Sequence, residues 1–410
     1  MVTESEKQIL KALANEYMEY ASKPVQKQKI NLWKALNRNK MQRPMITIDQ
    51  LPWNELMCDE LTVKVSDPYW QVIESGLRQT LYKWKNFPVD MVLDPFLRIP
   101  KAVYSTGFEL LPKGEVLNSD TTAPARHFDN QLQTLEDVEK IKDIKIIYDT
   151  EATKQIEQQA HDIFDGIVPI KMTGNMTWHL GVWDYVSMLM GVENVYMELI
   201  DNPELVHAIM TRITDSTIAG IKQTNELMVN DDIINLCHCS HIYTDELLPD
   251  SGEGKGPLSK NCWAFGLAQL FTSVSPQTFE EFEMPYITKM AEYFGMIYYG
   301  CCDRLDDRLD IVKKIPNVKK VSCSPWSDRQ AFAEKIGGDL IMSLKPNPAF
   351  LAPDTFDEDI IRKDLKQACE LAKANNANLE ILLKDVSTVN NNPNRLTRWA
   401  DIAMDVVENY

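Results

Sequence analysis

Long apolar runs are missing from this chain: across 410 residues no stretch approaches the roughly 18 to 20 apolar residues that cross a bilayer. A basic, apolar, small-residue leader is missing too. The opening MVTESEKQILKALANEYMEY is acidic and amphipathic and reads as a first helix, so a cytoplasmic location is the expectation. Positive charge is scarce, with 43 Lys and Arg against 60 Asp and Glu and a net charge of −17. No basic stripe interleaved with aromatics offsets this, which excludes nucleic acid as an expected partner. The eight cysteines follow no disulfide-framework spacing and form no CxxC pair, so reduced thiols or thiolate ligands are expected. Short-period repeats, low-complexity tracts and long linkers are also absent.

What is present is an ordinary soluble composition, 44% apolar and 25% charged, long enough to bury a large core. The first 88 residues read mainly as helices, with an extended stretch MITIDQLPW and a helix starting near Asp67. From about Met91 short apolar runs take over: MVLDPFLRI, IVPIKMTGNM, IINLCHCS, GMIYYGCC, VKKVSCS, DLIMSLKP and LEILLKDVS. Runs bounded by turn residues are how strands buried on both faces appear. Helical patterns lie between them, with Asp201, Ser275, Asp328 and Asp357 near helix starts and Pro203 early in one helix. Strand and helix alternation implies parallel pairing with right-handed crossovers. The expectation is therefore an α/β protein, a (β/α)8 TIM barrel over residues 89–410 carrying a mainly helical N-terminal extension over 1–88. That extension could cover an edge or form a homodimer contact.

In such a barrel chemistry gathers at the carboxyl ends of strands. Two of these ends concentrate soft ligands. One holds Cys237, His238, Cys239 and His241, and the other holds Cys301 and Cys302 beside Asp303. Zinc takes thiolate sulfur and imidazole nitrogen, and a catalytic site needs three protein ligands with one position open. A subset of His238, Cys239, His241, Cys301 and Cys302 could provide that set; the alternative is that several of the cysteines are small buried hydrophobes. Neighbours on a strand point to opposite faces, so Cys301 and Cys302 can share a pocket only if the strand has ended before them. Asp303 and Asp385 could accept a proton, coordinate a metal or bind a substrate hydroxyl, or could cap the next segment of chain. Lys345 could hold an anionic group. His179 and Trp178, with Tyr298 and Tyr299, suit an aromatic-lined mouth in which a phenol donates to a substrate oxygen. The segment SGEGKGPLSKN, residues 251–261, comes directly after the first cluster and reads as a lid.

Several segments together resemble a known family. TGNMTWHLGVWDYVSMLMGVENVYMELIDNPELVHAIMTRIT is similar to the strand, Gly-containing turn and D-N-P-E-x-V helix of the uroporphyrinogen decarboxylase superfamily. SPQTFEEFEMPYITKMAEYFG resembles its S-P-x-x-F-x-E-F-x-x-P-Y helix. GMIYYGCCDRLDDRLDIVKKIPNV is similar to the strand and helix that carry H-x-C-G in its cobalamin-dependent methyltransferase branch. The likeness covers roughly residues 165–408. It implies a (β/α)8 barrel with a deep pocket at the carboxyl ends of its strands.

The R-Q-A-G-R element of true porphyrin decarboxylases does not occur, and Arg-poor strand ends would serve a polycarboxylate badly. The methyltransferase branch implies zinc held by H-x-C and a later cysteine, with exchange to a separate corrinoid protein. Here the match is partial. Tyr299 stands for the histidine if Cys301 is the cysteine, and Gly300 if Cys302 is; Lys384, Asp385 and Val386 stand where the late cysteine belongs. No D-x-H-x-x-G element occurs, so cobalamin would arrive only on a partner. The resemblance implies the substrate-activating methyltransferase of a corrinoid-dependent demethylation system acting on a small methylated, methoxy-aromatic-like compound. Asp303, His238 and Tyr299 are its expected acid–base groups. Two alternatives are a decarboxylase or lyase of a small carboxylated substrate, with Lys345 holding the carboxylate, and a noncatalytic ligand-binding barrel.

Overall fold

The computed structural model describes residues 2–117, 125–174, 178–231, 236–248 and 257–410. Seven short strands form one parallel sheet in the order Met45–Ile48, Asn378–Leu383, Ile341–Leu344, Val318–Cys323, Met296–Tyr299, Trp263–Gly266, Trp178–His179. Helices occupy the intervals between strands, giving a mixed α/β protein. Among the described residues the sheet does not close into the expected barrel of eight. Leu97–Pro100 and Ile170–Thr173 pair with each other in a separate parallel ladder. The run IINLCHCS shows why no further strand is seen there: residues 232–235 lie outside the described residues, and Leu236–Cys237 turns back on Ser240–His241 as an antiparallel hairpin. The first six residues of the expected lid also lie outside them.

Each strand separates two environments, because successive side chains point to opposite faces. In Met296–Tyr299, Ile297 and Tyr299 join the large helix-facing core, whereas Met296 and Tyr298 join a smaller cluster with Cys237, Trp263, Phe265, Cys301 and Leu382. That second cluster lies on the inner face of the sheet. Met45–Ile48, within the segment expected as a helical extension, is an edge strand of the same sheet. The short strand Trp263–Gly266 is not among the apolar runs singled out from the sequence.

Three helices precede most of the sheet: α1 (Glu4–Ala21), α2 (Pro24–Asn37) and α3 (Pro68–Asn86). Thr3 caps α1 and Asp67 caps α3, each accepting a backbone N–H of the first turn. Leu10, Ala14 and Tyr17 of α1 and Trp70, Leu77 and Leu81 of α3 pack with Leu97, Ile99 and Phe164 in a core of their own. Ser275, Asp328 and Asp357 cap later helices as expected. Asp201 instead ends one helix, and Asn202 precedes the next, which begins at Pro203. No helix of the described residues is long and apolar enough to cross a membrane.

The inner face also holds a fully buried ion pair. Lys320 Nζ lies 2.6 Å from Glu380 Oε2, and both side chains are 0% exposed. Ser240 Oγ bridges them at 2.6 and 2.8 Å, and the ammonium lies 5.5 Å from the ring centre of Trp33 in α2 and 5.7 Å from that of Trp263. This one pair joins two strands, the hairpin and α2. Removing one partner of such a pair strands the other charge in a dry interior. Lys320→Met should cost about 3 to 5 kcal/mol in urea denaturation, and Lys320→Met with Glu380→Leu should recover most of that loss.

Candidate functional site

The strand Met296–Tyr299 ends in Gly300, whose φ of 89° lies in the left-handed region. A Cβ there would approach Leu305 Cδ1 to 2.5 Å, so the position needs glycine. The turn releases Cys301 and Cys302 from strand alternation, and their Sγ atoms lie 3.5 Å apart. Elsewhere in the same sheet, Asn378–Leu383 ends in Lys384 and Asp385. Lys384 Nζ lies 3.1 Å from Cys301 Sγ and 2.6 Å from Asp385 Oδ2, and Cys302 Sγ lies 3.2 Å from the same carboxylate oxygen. Asp303 Oδ1 accepts the Cys301 N–H at 2.6 Å, while its buried Oδ2 has no hydrogen-bond partner.

The hairpin contributes His238 under backbone strain. His238 and Cys239 have φ of 45° and 67°, both left-handed, in a two-residue turn of the kind that favours Asn and Gly. The His238 ring stacks on Phe265, with centroids 3.9 Å apart and planes at 9°, and stands edge-on to Tyr298. It interacts with Cys301, and its Nε2 has no partner that meets hydrogen-bond geometry. Below the mouth, Lys345 Nζ donates to the Tyr298 hydroxyl and to Ser343 Oγ at 3.0 Å.

Electrostatics separates the two thiols. Cys301 is held far below the ordinary thiol range by hydrogen bonding from Cys302, against the opposing effect of burial, with further support from His238 and Lys384. Cys302 is pushed up by the same contact. Its single S–H faces a thiolate and a carboxylate, whereas Cys301 has the ammonium beside it; the thiolate therefore belongs on Cys301. Burial lowers Lys345 to about 8 and raises Asp303. Burial opposes the charge on Lys384, but Cys301 and Asp385 outweigh it and raise the group.

Of the residues expected at the site, Cys301, Cys302, Asp303, Asp385 and His238 come together, with Tyr298 and Lys345 directly beneath. His179 is exposed, with its ring 5.3 Å from Phe265. Four residues go elsewhere. Tyr299 lies on the helix-facing side, where alternation places it opposite Tyr298, and its hydroxyl donates to Glu283 at 3.0 Å. Trp178 packs against Phe294 in the same core. His241 Nε2 accepts the Val92 N–H at 3.3 Å, with its ring set against Trp33 and Tyr243. The Cys239 carbonyl accepts from Thr47, and burial pushes its thiol up to about 12. Among the described residues the one group of potential metal donors is Cys301, Cys302 and Asp385, with ligand atoms within 4.8 Å of one another; the hairpin residues are not in it.

Three participants are not apparent from sequence reasoning. Lys384 stands where the resemblance places a late cysteine, and its ammonium is not an expected member of the site. Trp326, 69% exposed, lines a cleft of about 330 Å³ with Pro346, Pro348, Cys302, Lys384 and Asp385. Glu283 is buried behind the site and accepts from Tyr299 and, at 3.0 Å, from Trp183. The fold and site together define a parallel α/β protein with a thiolate, ammonium and carboxylate cluster at its strand ends. No family model and no curated protein matches the chain. Among solved structures, a methyltransferase from Methanosarcina mazei is similar at a TM-score of 0.49 and 12% sequence identity, over 91% of this chain and 96% of that one. A likeness at this level says nothing of substrate or mechanism.

Burial raises the Glu283 carboxyl from 4.5 to about 8, with Asp303 and Asp184 adding to the shift. Below about pH 4.5 the folded and unfolded chains are both protonated at this group. As pH rises toward 8 the unfolded chain ionises while the fold keeps the proton, so stability falls, by at most about 1.4 kcal/mol per pH unit, and levels off above that. Urea midpoints measured between about pH 5 and about pH 9 should show this decline in the wild type, and Glu283→Gln should flatten it.

Proposed function

We propose that this chain is a divergent methyltransferase of the uroporphyrinogen decarboxylase superfamily, its sheet completed to a (β/α)8 barrel. In this reading it activates a small methylated compound for transfer to a corrinoid carried by a separate protein. The observation that carries the reading is the convergence of Cys302, Lys384 and Asp385 from two strand ends onto a small, largely apolar cleft. A cleft of about 330 Å³ walled by Trp326, Pro346 and Pro348 suits a flat compound of few atoms. Lys345, with neutral oxygens as its hydrogen-bond partners, would bind an anionic substituent of that compound.

Alkoxide is a poor leaving group, so cleavage of a methyl ether needs a proton delivered to the departing oxygen. Asp303 is the acid we assign: burial favours its protonated form, and Oδ2 is free to donate. The reduced corrinoid would supply the nucleophile that takes the methyl group. The chain's own part is to bind the compound, exclude water and hold the proton. Zinc fits this site poorly. The separations of Cys301, Cys302 and Asp385 resemble edges of a small coordination polyhedron, yet the Lys384 ammonium already donates to two of the three donors.

Methylcobalamin formation from chemically reduced cobalamin and a panel of methoxybenzoates tests the reading. Transfer is expected with at least one substrate, and Asp303→Asn should lower kcat by about 100-fold or more with little change in KM. Absence of transfer across the panel, with release of carbon dioxide from a carboxylated substrate instead, would replace it with a carboxy-lyase.

A further inference from the structure

Cys301 and Lys384 form the closest contact between the two strand ends, and the contact is buried: Cys301 is 6% and Lys384 2% exposed. Lys384 carries two contacts at once, 3.1 Å to the thiol sulfur and 2.6 Å to Asp385 Oδ2. A cation shared by a sulfur and a carboxylate occupies the electrostatic place of a divalent ion among the same donors. A second cation there would meet the ammonium at close range with little water between them, which is costly. The surroundings favour the same arrangement. His238 is held over Cys301 by its stack on Phe265 and by a strained turn. Cys302 Sγ lies 3.5 Å from Cys301 Sγ and 3.2 Å from Asp385 Oδ2, and the Cys301 N–H is fixed by Asp303. The structure thus builds an oriented, charge-compensated sulfur at the end of a strand, 3.5 Å from the sulfur of Cys302, which lines the cleft.

We infer that Cys301 is a nucleophilic thiolate whose counter-cation is Lys384 rather than a metal ion, directed at soft electrophilic carbon. The step is a displacement. The Cys301 sulfur lone pair forms the S–C bond, the bond from that carbon to its leaving group breaks, and the leaving group departs with the electron pair. Lys384 stays protonated throughout with a haloalkyl electrophile, and no oxidant or reductant is needed. Lys384 is a positioning residue, acting through the sulfur. The inference is independent of the corrinoid reading, because it concerns the reactivity of the isolated chain.

Iodoacetamide is the probe, with the modified cysteines mapped by peptide mass spectrometry and the exposed Cys58 serving as internal reference. After incubation with zinc and gel filtration, wild type should carry no stoichiometric metal, and Cys301 should be alkylated about tenfold or more faster than Cys58. Lys384→Gln should slow Cys301 by about tenfold or more, and Lys384→Arg, which keeps the cation, should stay within about threefold of wild type. Thermal melts of both variants control for folding, and the wild-type comparison stands even if Lys384→Gln fails to fold. Zinc bound at one per chain and lost in Cys301→Ser would overturn the inference. So would Cys301 reacting no faster than Cys58, preferential modification of Cys302, or equal loss in both lysine variants, which would show packing rather than charge.

Discussion

A strand buried on both faces must place adjacent residues in two different environments, and this molecule is organised around that constraint. Along Val318–Cys323, Val321 and Cys323 face the helices, while Lys320 and Ser322 face inward. The helix-facing residues form one large apolar core, whose removal from water supplies most of the drive to fold. The inward residues are free to be polar because they meet one another across the curled sheet. Lys320 and Glu380 take that freedom furthest, and Ser240 and Trp33 tie the hairpin and α2 to them.

The same alternation ends where function begins. At Gly300 the chain leaves the strand, and two adjacent cysteines, which would otherwise point in opposite directions, bring their sulfurs to within 3.5 Å. At Asp385, with φ of 55°, a second strand ends in a left-handed residue, and its carboxylate turns back to Lys384 and Cys302. The hairpin adds a third departure from regular geometry at His238 and Cys239. Left-handed backbone at His238 and Asp385 is unfavourable for these residue types, and both side chains are placed beside the two cysteines. The contacts there favour charge: a thiolate beside an ammonium, and an ammonium beside a carboxylate.

Much of this was legible before folding. Apolar runs located six of the strands, though the observed elements are shorter, and capping residues located Ser275, Asp328 and Asp357 at helix starts. Cys301, Cys302 and Asp303 stood out because soft and acidic residues come directly after a strand. Tyr299 and Tyr298 share their chemistry but not their face, and only the folded strand separates them. A tight turn, invisible to composition, sends His238, Cys239 and His241 of one short cluster to different surroundings. Lys384 was noted only as a residue standing where the resemblance places a late cysteine, and its meaning comes from a sulfur 83 residues earlier in the chain.

Sequence alone determined the parallel α/β character, the concentration of thiols at strand ends and the acidic surface, because these are set by local periodicity and composition. Tertiary structure decided which thiol carries charge, which cation answers it and which tyrosine lies beneath the mouth. Those outcomes depend on distances between residues far apart in the chain, and such distances are set only when the strands align in register and curl.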